Sequence, residues 1–344
     1  MTMRKIKKSK SKKKNKKKSL GKGAKLFLMF FFAVILMLVI YLFIDQIQRA
    51  IVKSKTVLIP INMVIGSSPE DKFSEPKGIA VDPENNFYIS DFGSNKISKY
   101  DSNGKLIFSI GEMGNHPGDD KGQLEFNQPS GLWVSQNGII YVSDTFNHRI
   151  QVFDAEGNFL RMWSHSFFGP KGITGDNNGK IYVVDTGNHK IEVFDENGNF
   201  IKEFGGHGTS EGKFDEPIGA VFDSKGILYV SDSNNNRIEK FNPNKKNGEE
   251  FLGSFKVTTW HGKNQEFPYL AFYNDNIFAS NASLGAVLRY DLNGKLIAIY
   301  KRQDGFANAQ GIAVDGLGRV YVTEVGTGHV LRFDLPPSTG TTSQ

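Results

Sequence analysis

The 35 residues from Pro129 to Trp163, PSGLWVSQNGIIYVSDTFNHRIQVFDAEGNFLRMW, hold four short runs in which apolar and polar residues alternate. Gln136-Asn137-Gly138, Asp144 to His148, and Ala155-Glu156-Gly157-Asn158 separate the runs. Period-two alternation broken by Gly, Asn and Asp predicts antiparallel strands joined by tight hairpins. A sheet of four such strands cannot bury its own faces, so it needs neighbours. The chain repeats the pattern from Pro76, Pro170, Pro217, Pro268 and Ala309, and the six successive starts lie 53, 41, 47, 51 and 41 residues apart. Four strands recurring at this period predict an all-β fold, a six-bladed β-propeller over residues 56–335.

The sixth copy stops at Leu335-Pro336-Pro337 without a fourth strand. Thr56 to Gly66, upstream of the first copy, reads as that missing strand. Paired into the last blade, it would close the ring and remove an exposed sheet edge.

The recurring residues P-x-G-[IVL]-x-V-D, then [IV]-Y-[IV]-[SV]-D-x-x-N-[HN]-[RK]-[IV], resemble the NHL repeat, and four of the six copies match well. The resemblance covers residues 56–335 and implies the propeller fold. It does not fix a function, because one propeller fold hosts many activities. In the peptide-amidating lyases, six-bladed relatives, zinc-binding histidines stand at the x of P-x-G. The matching positions here are Lys77, Ser130, Lys171, Ile218, Tyr269 and Gln310, with no His, Asp or Glu among them. The resemblance therefore implies that this zinc site is missing, and no metal or cofactor is expected.

Charge divides the chain. Residues 1–25 carry 13 Lys or Arg and no acid, and the remaining 29 basic residues face 36 acidic ones, a balance of about −7. The globular part is thus mildly acidic, which argues against nucleic acid as a partner. Leu26 to Ile44 is a run of 19 residues without a charge, Gly or Pro, long enough as a helix to cross a bilayer. With the cations on its N-terminal side, the positive-inside rule leaves the head 1–25 in the cytoplasm. The expected order is a basic cytoplasmic head (1–25), a single transmembrane helix retained as a signal anchor (26–44), a juxtamembrane linker (45–55), an extracytoplasmic propeller (56–335) and a polar tail (336–344) at the cell membrane. Cysteine is absent, which removes disulfides, thiolate ligands and a cysteine nucleophile.

Several sets of residues stand out for chemistry. An acid and a base five apart recur as Asp91/Lys96, Asp144/Arg149, Asp185/Lys190 and Asp232/Arg237. An active site is not repeated fourfold, so these pairs are expected to hold the hairpin between strands two and three. His148 and His189 share their repeat position with Asn95 and Asn236, which suggests hydrogen bonding in place of metal ligation. The P-x-G residues Lys77, Ser130, Lys171, Tyr269 and Gln310 are expected to ring the channel mouth and to orient an anionic or polar ligand. His116, Trp163, Phe168 and Trp260 lie in the linkers between blades and are candidates for contact with a partner. Asp119-Asp120 offers a calcium reading without the surrounding Asp/Asn ladder that calcium loops have. No catalytic elbow or phosphate loop appears. The sequence favours a binding or scaffold module for a protein, peptide or glycan partner at the cell surface. A lactonase-like or lyase-like enzyme with a site at the mouth, and a purely structural envelope factor, are the alternatives.

Overall fold

The structure, a computed structural model, describes residues 22–68, 71–116, 122–257, 259–260 and 267–336. The chain divides into two units, Met1–Ser54 and Lys55–Gln344. Most of the basic head, Asp119-Asp120, His261 and most of the polar tail lie outside the described residues.

The first unit is a helix, Lys22–Lys55, of 34 residues. It continues through the segment 45–55 and contains one stretch, Met29–Lys55, long and apolar enough to span a membrane. Its large apolar side chains from Leu26 to Ile51, where described, are exposed.

The second unit is a six-bladed ring. Blade one is typical: Pro76–Val81, Phe87–Asp91, Lys96–Tyr100 and Leu106–Ile110 pair in sequence order as an antiparallel sheet. Blades two to five repeat the arrangement, starting from Leu132–Val134, Pro170–Gly175, Pro217–Phe222 and Leu270–Tyr273. The sixth consists of Ala309–Val314, Arg319–Glu324 and His329–Asp334, completed by Met63–Ile65. An N-terminal strand thus closes the ring, with one refinement. Thr56 to Gly66 is not a single strand: Thr56–Leu58 runs parallel to Leu296–Lys301 as a fifth strand of blade five. Pro60, which has no N–H to give a ladder, stands between the two pieces.

Three repeated contacts explain the motif. The Asp that closes V-D caps its own turn and takes the phenol of the Tyr six residues on, as in Tyr88–Asp82 at 3.0 Å and Tyr321–Asp315 at 3.2 Å. The Asp at the end of strand two accepts backbone N–H groups from the segment that enters its own blade. Ser74 and Glu75 donate to Asp91, Asn127 to Asp144, Phe168 to Asp185 and Asp215 to Asp232, at 2.7–2.9 Å. The third contact is between blades. A Cβ on the P-x-G glycine would lie 2.2 Å from Ser130 O at Gly78, 2.1 Å from Lys171 O at Gly131, and 2.2 Å from Lys77 O at Gly311. Inner strands approach so closely that only glycine fits, and Gly311 against Lys77 is the contact that joins the last blade to the first.

The fourfold acid–base pair needs a correction. Each pair does face across its hairpin. Only the arginines bond to the acid, with Arg149 Nε and Arg237 Nε each 2.8 Å from Asp144 and Asp232. Lys190 turns instead to Glu192 and Glu203, and Lys96 is exposed with no ion pair among the described residues. The planar guanidinium reaches further: Arg149 also donates to Gly122 O and Glu125 O, tying the long linker to blade two. An ammonium on a flexible stem cannot span the carboxylate and the linker carbonyls together.

Candidate functional site at the channel mouth

A cavity of about 370 Å³ opens at one mouth of the ring. Of the six P-x-G residues, Lys77, Ser130, Lys171 and Tyr269 line it. Gln310 and Ile218 do not, being 2% and 1% exposed within the ring. Phe92, Phe146, Phe168 and Phe267 supply the apolar wall, and His148, His189 and Glu216 complete the rim.

The two lysines converge on one ring. Lys77 Nζ lies 4.7 Å and Lys171 Nζ 4.3 Å from the centre of Phe267, so the nitrogens are no more than 9.0 Å apart, the sum of the two. Lys77 also sits 3.4 Å over Phe92 and pairs with Glu75 at 3.7 Å. Burial lowers its pKa, and Glu75 partly restores it. Lys171 has no ion pair or side-chain hydrogen bond among the described residues. Burial brings its pKa down to about 8; Glu216 opposes the shift, and the neighbouring Lys77 adds to it. Burial pushes the Tyr269 phenol well above its usual range, with Ser130 as its polar neighbour.

The histidines of the Asn-His-[Arg/Lys] turn do structural work. His148 and His189 adopt left-handed φ of 53° and 56°, as do Asn95 and Asn236 at 59° and 54°. From there, His148 Nδ1 accepts the N–H of Gly169 at 3.0 Å, and His189 Nδ1 that of Glu216 at 3.1 Å. Asn95 Oδ1 does the same for Gln128. Each acceptor holds the residue just before the next blade's proline. His189 also gathers with His207 and Asp215, their ligand-capable atoms within 4.8 Å of one another. Because His189 Nδ1 accepts a backbone N–H, its proton sits on Nε2, and a metal ion there would have to displace that bond.

The linker candidates fare differently. Phe168 is 62% exposed and stacks on His148 at the rim. His116 is held within its linker by Glu125 at 2.7 Å. Trp163 is half-buried against Tyr141 and Phe194. Trp260 is 2% exposed, its indole N–H directed to Ser280 O, so it packs under blade five and offers nothing to a partner. Among the lining residues that the sequence did not single out are Phe92 and Phe146, in the turn after strand two, and Glu216, directly before Pro217. Their signal lay in register, since turn and pre-proline positions of several blades meet at the mouth.

The closed ring defines the class: a six-bladed β-propeller whose mouth carries a half-enclosed cationic and aromatic cavity. More particularly, the propeller carries NHL repeats, which match at residues 73–100, 126–153, 167–194 and 214–241. The chain is 37% identical over 90 residues to the probable peptidyl-alpha-hydroxyglycine alpha-amidating lyase of Caenorhabditis elegans, covering 26% of this chain and 25% of the relative. It is 34% identical over 113 residues to NHL repeat-containing protein 2 of Gallus gallus, covering 30% and 16%. Each match thus spans a quarter or less of the relative's length. Among solved structures, virginiamycin B lyase from Staphylococcus aureus is similar at a TM-score of 0.55 and 16% identity, over 80% of this chain and 98% of that one. A gluconolactonase from Xanthomonas campestris is similar at 0.56 and 13%, over 82% and 98%. At such identities the likeness is one of fold.

Proposed function

We propose that this chain is a membrane-anchored binding module whose propeller stands on the extracytoplasmic side and takes, in the mouth cavity, an anionic group carried on an apolar or aromatic body. A terminal carboxylate of a peptide, or an acidic group of a glycan decorated with an apolar substituent, has this chemistry. The observation that carries the reading is the pair of lysine ammoniums set against Phe267 in a cavity otherwise walled by Phe92, Phe146 and Phe168. Among the described lining residues Glu216 is the one carboxylate; Glu75 pairs with Lys77 at 3.7 Å, which leaves Lys171 as the lining cation without an ion pair among the described residues. Half-desolvated cations strengthen attraction for an anion while the rings bury its apolar flank. The P-x-G positions include no histidine or carboxylate, which weighs against a metal-dependent lyase of the amidating kind. Anchoring rests on the apolar helix, and orientation on the basic head before it.

Binding is tested on the full-length chain in detergent by calorimetric titration with phenylacetate, acetate and benzyl alcohol. Phenylacetate is expected to bind at least tenfold more tightly than either fragment, and Lys77→Gln with Lys171→Gln to remove that preference. Equal responses to all three would refute the reading. Orientation is tested with Ser224→Cys, the only thiol in a chain without cysteine. A membrane-impermeant maleimide should label it in intact cells; labelling only after permeabilisation would put the propeller inside.

A further inference from the structure

The two mouth lysines are not equivalent. Lys77 has a carboxylate partner, Glu75 at 3.7 Å, and an aromatic face 3.4 Å away that favours its charged form. Lys171 also faces a ring, Phe267 at 4.3 Å, but has neither an ion pair nor a side-chain hydrogen bond among the described residues, and the charges that act on it in the cavity are the like charge of Lys77 and the rim carboxylate Glu216. Tyr269 lines the same cavity with Ser130 as its polar neighbour; it is 9% exposed as a residue, and its hydroxyl oxygen completes no hydrogen bond among the described residues. An amine held in an apolar cavity next to another cation is an activated nucleophile toward carbonyl carbon.

Building on the binding reading above, we propose that Lys171 captures a 2-oxo acid with an aromatic or bulky apolar substituent as an imine, while Lys77 holds the carboxylate. The lone pair of neutral Lys171 Nζ adds to the keto carbon and the carbonyl π pair moves to its oxygen; the nitrogen gives up one proton and the oxygen takes one, so the carbinolamine is neutral. The nitrogen lone pair then forms a double bond to carbon as the C–O bond breaks, and the hydroxyl leaves with a further proton as water, so that the product is the protonated imine and one proton from solvent is consumed in all. Nothing is oxidised or reduced, and water reverses the sequence. Tyr269, which stays protonated, and Glu216 are the acid and the carboxylate that the cavity offers for these proton transfers. The four phenylalanines receive the substituent and restrict water at the imine carbon.

The pKa of about 8 for Lys171 supports this chemistry. At pH 7.5 it leaves roughly a quarter of the amine neutral, against about one part in 800 for an ordinary lysine.

The test uses the full-length protein in detergent at pH 7.5 with phenylglyoxylate and sodium cyanoborohydride, followed by peptide mass mapping. Reductive alkylation is expected at Lys171 on the order of a hundred-fold faster than at exposed lysines, and phenylacetate should block it. Lys171→Arg should abolish the adduct, and Lys77→Gln should slow its formation at least tenfold at low probe concentration. Because the wild-type map locates the adduct, the assignment does not depend on any variant folding. Adducts spread over exposed lysines with no preference for Lys171, while phenylacetate still binds, would overturn the imine and leave the binding reading standing. Failure of both phenylacetate binding and Lys171 labelling would overturn the two together.

Discussion

Replacing Gly311 by alanine isolates the closeness of the ring. Gly311 has no left-handed φ, so its backbone tolerates a Cβ and the cost is steric. That Cβ would stand 2.2 Å from Lys77 O, 3.0 Å from Thr323 Oγ1 and 3.2 Å from Ile79 Cγ2. Restoring an ordinary 3.4 Å contact requires the strands of blades six and one to part by 1.2 Å, the difference from 2.2 Å. The obstructing atom is backbone and cannot swing aside. Overpacking of this kind costs about 1–3 kcal/mol, and in a closed ring the displacement is shared with the other interfaces. The bonds from Gly311 N to Thr323 Oγ1 at 2.8 Å and from Thr323 Oγ1 to Lys77 O at 3.2 Å lengthen as well, adding about 1 kcal/mol. A loss of about 3 kcal/mol, or roughly 6–12 °C in melting temperature, is expected for a domain of this size. Far-ultraviolet circular dichroism against temperature measures it, with Gly316→Ala as control. Gly316 also lacks a left-handed φ, and its nearest neighbour to a Cβ is Asn85 Oδ1 at 3.5 Å; that change should fall within about 1 kcal/mol of wild type, on the stabilising side. Gly131→Ala, aimed at Lys171 O from 2.1 Å, should rank with Gly311→Ala, and Gly219→Ala, at 2.8 Å, should be milder. If Gly311→Ala melts with the control, close strand approach is not what the repeated glycine serves.

Two further changes separate charge from shape. Arg149→Met leaves Asp144, wholly buried, without its cation, and should cost about 3–5 kcal/mol; adding Asp144→Asn should recover part of it, whereas Lys96→Met in blade one should stay within about 0.5 kcal/mol. Urea unfolding compares the three. Lys171→Met removes a cation whose pKa falls from 10.5 to about 8 on folding, so the penalty is full below pH 8 and fades as pH rises toward 10.5. The variant should be more stable than wild type by roughly 2–3 kcal/mol at pH 7, with the gap closing by pH 10. A gap that does not narrow would mean that the gain comes from packing alone.

Much of this molecule was legible because local chemistry and architecture repeat together. The strand pattern, the turn glycines and asparagines, and the 41–53-residue spacing all encode one unit, and six units have one economical arrangement. The shared Asn-or-His position was also readable: both side chains accept a hydrogen bond from a left-handed residue. What resisted reading is what breaks the repeat. Trp260 stands in a linker, where aromatic residues look available, but the chain folds back and gives its indole to Ser280 O. Lys96 and Lys190 match the arginines in charge, and only the guanidinium geometry decides which blades form the bond.

The cavity lies between these two cases. Lys77, Ser130, Lys171 and Tyr269 could be placed at the mouth because they share one repeat position. The features that make the place chemically distinct come from unlike positions. Phe267 precedes the proline of blade five, Phe92 follows the turn acid of blade one, and Glu216 follows an acid at the entry to blade four. Symmetry builds the frame and asymmetry builds the site, so a repeat consensus averages away the residues that matter for binding. It follows that exchanging the blade-five entry Phe267 for Glu, the residue at the corresponding entry of blade one, would keep the fold and put a carboxylate within reach of both lysines. Because Phe267 also packs against the hydrophobic core beside it, such a variant should fold with a lowered melting temperature and lose phenylacetate binding. Binding that survives the exchange in the folded variant would show that the lysines at Phe267 do not hold the anion.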